Sequence, residues 1–135
     1  MKKLLFVISQ FYKGGAETAL LNLLSCLPSE DFAVDLIILN QYPVKDAVSL
    51  VPEIPESVHV FDQWRETYHV PVLNTLRRKI RFLLQGDLQH PWKAIQYVKD
   101  KEYDWAFHVG EWITPEFCAK YVKAANKAVW IHTDL

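Results

Sequence analysis

Two kinds of periodicity alternate along this chain. Leu4 to Ile8 run LLFVI without a polar break, the pattern of a strand covered on both faces by helices, as in a parallel sheet. Ala16, Ala19, Leu20, Leu23, Leu24 and Leu27 then recur at helical spacing, while Glu17, Thr18, Asn22 and Ser25 hold the other positions. This predicts a helix with an apolar stripe on the core, ended by Pro28.

The alternation continues. Residues 33–39 (AVDLIIL) and 58–61 (VHVF) predict a second and a third strand around an irregular excursion marked by Pro43, Pro52 and Pro55. From Val72 to Gln85 the pattern is helical, with Leu73, Leu76, Ile80, Leu83 and Leu84 on one stripe and Gly86 as the stop. His90-Pro91 opens another helix that carries Trp92, Ile95, Gln96 and Val98 to about Glu102. Asp104 to Val109 (DWAFHV) is a strand, and Thr114-Pro115-Glu116 starts a helix with Thr114 as N-cap and Phe117, Cys118, Tyr121 and Val122 facing the core. Lys127 to His132 (KAVWIH) is the last strand.

Strands alternating with helices imply a single α/β domain, a Rossmann-like doubly wound parallel sheet with right-handed crossovers. Such sheets bind ligands beyond the carboxyl ends of their strands, where strand order reverses. Three segments should therefore line one edge: Ser9 to Glu17, Gly110 to Thr114, and His132 to Asp134.

Length and charge narrow the picture. With 135 residues the chain buries roughly two-thirds of its unfolded surface and needs no staples. A net charge of −1 and a pI near 6.5 give no electrostatic footprint for nucleic acid. Cys26 and Cys118 each fall within an apolar helical pattern, so they read as small buried hydrophobes in a reducing compartment, not as a metal site. Lys2 and Lys3 before Leu4 to Ile8 imitate a signal peptide, but the apolar run is shorter than the roughly 7 to 15 residues of an h-region, and the start reads as cytoplasmic. No stretch approaches the ~20 apolar residues that span a bilayer.

The first candidate for chemistry is Gly14-Gly15, between the first strand and its helix. Without Cβ atoms the backbone turns sharply there and a ligand can approach the first free amides of the helix, where the macrodipole favours an anion. Glu17, in the first turn, has two open readings: compensation of the dipole, worth about 0.3 to 1 kcal/mol, or contact with a ligand. The chain has neither G-x-G-x-x-G nor G-x-x-x-x-G-K, so neither a dinucleotide fingerprint nor a Walker-type loop is supported. An ordinary tight turn between strand and helix is the competing account of the pair.

The opening strand with GGAE and its Leu-rich helix, Gly110-Glu111 after an apolar strand, and Val129-Trp130-Ile131-His132-Thr133-Asp134 together resemble the N-terminal domain of family 4 glycosyltransferases. These are retaining enzymes of the GT-B architecture, many of them building bacterial surface polysaccharides. The resemblance runs through the chain in order, with residues 40–100 adding little. It implies two Rossmann-like domains facing each other across a cleft. The N-terminal one mainly holds a saccharide or lipid-linked acceptor, and a C-terminal one holds the nucleotide-sugar donor, a co-substrate and not a resident cofactor. No metal is implied.

The resemblance places Gly14 and Gly15 against the donor diphosphate. His132 matches the family's strand-end histidine near the transferred sugar, and an imidazole there can donate to a sugar hydroxyl near neutral pH; packing below a loop is the structural alternative. Glu111 matches an acidic strand-end position able to accept hydrogen bonds from acceptor hydroxyls, against a solvated carboxylate or a cap on the following helix. Asp134 would support His132 or the turn after it. Trp112, beside Glu111, is the best placed of Trp64, Trp92 and Trp112 to stack on a sugar ring, although large aromatics also serve as core.

Arg77, Arg78, Lys79 and Arg81 suit peripheral contact with anionic lipid at an inner membrane face or, more simply, a solvated helix face. His59, His69, His90 and His108 show no ligand spacing and read as structural. No G-x-S-x-G elbow is present, and Glu17 with Glu111 has no defined separation that would make a hydrolase pair. The family's donor-side glutamate motif is absent from these residues, and the pattern expects more sheet beyond Leu135. The expectation is thus an acceptor-side domain that is inactive alone. Two other readings remain open: a non-catalytic subunit of a split glycosyltransferase, and a flavodoxin-like small-molecule-binding domain.

Overall fold

The computed structural model describes residues 1–41, 43–67, 92–109 and 113–130. In chain order the elements are β1 (Lys2–Ile8), α1 (Gly15–Cys26), β2 (Phe32–Ile38), a 3-10 turn (Val51–Glu53), β3 (Val58–Asp62), α2 (Gln63–Thr67), α3 (Trp92–Val98), β4 (Glu102–Val109), α4 (Ile113–Tyr121) and β5 (Lys123–Trp130). The five strands form one sheet in the order β3-β2-β1-β4-β5, and every pairing is parallel. The fold is the α/β Rossmann-like sheet that the alternation predicts. Flavodoxin-like sheets run 2-1-3-4-5, so the strand order separates this chain from that alternative.

The unbroken apolar run of β1 follows from its central place. Leu4, Phe6 and Ile8 point to one face, where they join Leu20 and Leu24 of α1, Leu36 and Ile38 of β2, and Val109. Leu5 and Val7 point to the other, with Ile37, Ala94 and Val98 of α3, and Phe117 and Cys118 of α4. Each fully buried Leu or Phe contributes roughly 1.5 to 3 kcal/mol, an upper figure because the unfolded chain already hides part of its surface. At the opposite end of the sheet the Tyr103 hydroxyl donates to Asp35 Oδ2 at 2.6 Å, and Lys101 Nζ lies 3.9 Å from the same oxygen.

The excursion after β2 is tied down. Gln41, buried, accepts from the Phe11 amide through Oε1 at 2.6 Å and donates through Nε2 to Ser49 Oγ at 3.3 Å. The Lys13 amide donates to Val48 O at 2.7 Å and the Leu50 amide to Phe11 O at 2.9 Å. The segment between β1 and α1 is therefore zipped to the excursion, with Phe11 fully buried beneath it.

Several expectations need correction. Cys26 is exposed and Leu23 is 38% exposed, because α1 buries only Leu20 and Leu24. β5 starts at Lys123, four residues before the expected Lys127, since Lys123 and Ala124 pair with Glu102 and Tyr103 of β4. α3 ends at Val98 and not near Glu102, which already belongs to β4. α4 begins at Ile113, so Thr114 lies inside its first turn and is not its N-cap. The short α2 directly after β3 had no counterpart in the periodicity. The helix expected over 72–85, with Arg77, Arg78, Lys79 and Arg81, lies outside the described residues.

Candidate functional site

Strand order reverses at β1. The chain winds from β1 through β2 to β3 on one side, then crosses to β4 and β5 on the other. The crevice between the carboxyl ends of β1 and β4 is the switch point where open α/β sheets bind ligands. Ile8 is in register with Val109, and Val109 with Trp130. The segments after β1, β4 and β5 thus leave from neighbouring positions along one edge.

Two helices begin at this edge. α1, after β1, has Leu20 and Leu24 in the core on one face of the sheet; α4, after β4, has Phe117 and Cys118 in the core on the other. Each brings the positive end of its dipole to this edge. In α1 the first helical hydrogen bond runs from the Thr18 amide to Gly14 O at 3.0 Å, so the amides of Gly15, Ala16 and Glu17 precede it.

Gly14 is the N-cap, with φ −171° and ψ 178°, extended backbone that any residue adopts. What lies over its Cα is the end of a flexible side chain, which a larger residue would push aside. A Cβ built there meets Glu17 Oε2 at 2.6 Å and Glu17 Cδ at 3.4 Å. The Glu17 carboxylate is folded back over the Gly14 Cα, at the amino end of its own helix. That position is compatible with both readings of Glu17, and an anion approaching the amides would meet its carboxylate. Gly15 and Lys13 are exposed beside it.

Of the predicted site residues, the structure brings together Gly14, Gly15 and Glu17. Glu111, Trp112, His132 and Asp134 lie outside the described residues; in sequence the first two follow β4, which pairs with β1, and the last two follow β5, which pairs with β4. His108 has a different character from the other strand residues. It is the penultimate residue of β4, opposite Val7 and Val129 in the ladder, and only 7% exposed. Its Nδ1 is buried without a hydrogen-bond partner, and desolvation holds its pKa below the ordinary value near 6.5, so the imidazole is neutral at neutral pH. The sequence signal was a titratable residue one position from the carboxyl end of a strand at the switch point. Gln41, which pins the approach to Gly14, had no such signal.

Among the described residues no group of three or more His, Cys, Asp or Glu is placed to hold a metal ion. No helix among them is long and apolar enough to cross a membrane. A scan against protein-family models finds no match, and comparison with curated proteins finds none significantly similar.

Proposed function

We propose that the chain is the acceptor-side domain of a retaining glycosyltransferase that moves a sugar from a nucleotide-sugar donor to a saccharide or lipid-linked acceptor. The observation that carries this reading is the position of Gly14-Gly15. The pair opens α1 at the carboxyl end of the central strand, beside the switch point of a β3-β2-β1-β4-β5 sheet, where a helix amino end favours a phosphate. The family resemblance puts the donor diphosphate at the same two residues.

In this reading the donor diphosphate, delivered by a second domain, meets the Gly15 and Ala16 amides and displaces the Glu17 carboxylate. The bond from the anomeric carbon to the phosphate oxygen breaks with its electron pair going to the diphosphate, leaving an oxocarbenium-like centre. The acceptor hydroxyl attacks on the same face, and its proton passes to the departing phosphate oxygen. The amides stabilise charge on the leaving group as it develops. His132 orients the transferred sugar, and Glu111 with Trp112 and Asp134 shapes the acceptor side. A cytoplasmic location, where nucleotide sugars are made, goes with the same reading.

The test uses the complete enzyme and a radiolabelled nucleotide-sugar donor. Gly15→Val, whose branched side chain would block approach to the amides, should lower transfer about 100-fold or more, as when an oxyanion loses the reach of one donor, and His132→Ala should also lower it sharply. Wild-type rates in both variants would remove the assignment.

A further inference from the structure

We draw no further inference here: the strongest candidate, the buried His108 side chain near the carboxyl end of β4 with its unpartnered Nδ1, belongs to the site already described, and nothing among the described residues shows which ligand or segment faces that nitrogen.

Discussion

Replacing Gly14 with Ala separates two explanations of a glycine at a helix start, backbone conformation and space. The backbone at Gly14 is extended, φ −171°, so Ala enters without dihedral strain. Its Cβ, however, falls 2.6 Å from Glu17 Oε2, and the carboxylate has to swing away. Ala is a poorer N-cap than Gly by about 0.5 to 1 kcal/mol, a cost offset by the roughly 0.4 to 1 kcal/mol gained from restricting the unfolded chain. The uncompensated loss is that of the carboxylate at the helix amino end, about 0.3 to 1 kcal/mol. Gly14→Ala should therefore lower the thermal midpoint by about 1 to 4 °C. In a Glu17→Ala background the carboxylate is already gone, and the same substitution should cost close to nothing. Urea denaturation of the four proteins in a double-mutant cycle reads the coupling. A cost above about 2 kcal/mol, equal in both backgrounds, would show that Gly14 is held by something other than Glu17 and would refute the argument.

Three other outcomes follow from burial. His108 is kept neutral by desolvation, its pKa lowered from 6.5, so below that pH the unfolded state binds the extra proton first. Stability should fall as pH drops from about 6.5 towards the depressed folded value. His108→Leu should remove that slope and the cost of an unpartnered nitrogen, about 1 to 3 kcal/mol; an unchanged slope in denaturation measured across this range sinks the reading. Cys118 is buried and its thiol is pushed up to about 12, whereas Cys26 is exposed. A thiol reagent should accordingly label one cysteine quickly in the native protein and both in denaturant, and two fast labels would contradict the packing of α4. Tyr103, desolvated and hydrogen-bonded to Asp35, titrates well above its ordinary value; absorbance in an alkaline titration should show a late component that ionises only as the protein unfolds, and Tyr103→Phe should reduce it by one tyrosine.

What the sequence could disclose depended on how many neighbours each residue has. β1 was legible because a central strand of a parallel sheet is apolar on both faces, and Leu4 to Ile8 serve two cores at once. The first half of β5 was not, because Lys-Ala-Ala-Asn has no strand pattern of its own and is drawn into the sheet by its ladder with β4. Periodicity placed Leu20, Leu23, Leu24 and Leu27 on one side of a helix, but it cannot say how wide the facing surface is. The sheet meets α1 along Leu20 and Leu24, and Leu23 stays 38% exposed.

Gly14-Gly15 shows the same limit at the candidate site. A glycine pair before a helix announces a place where side chains do not fit, without saying what excludes them. At Gly14 the group facing the missing Cβ is the chain's own Glu17 carboxylate, the movable end of a flexible side chain, so space favours glycine there without requiring it. The weight of the phosphate reading then rests on Gly15, exposed at the first turn. Substitution there should disturb transfer far more than stability, whereas substitution at Gly14 should do the reverse unless Glu17 is removed as well.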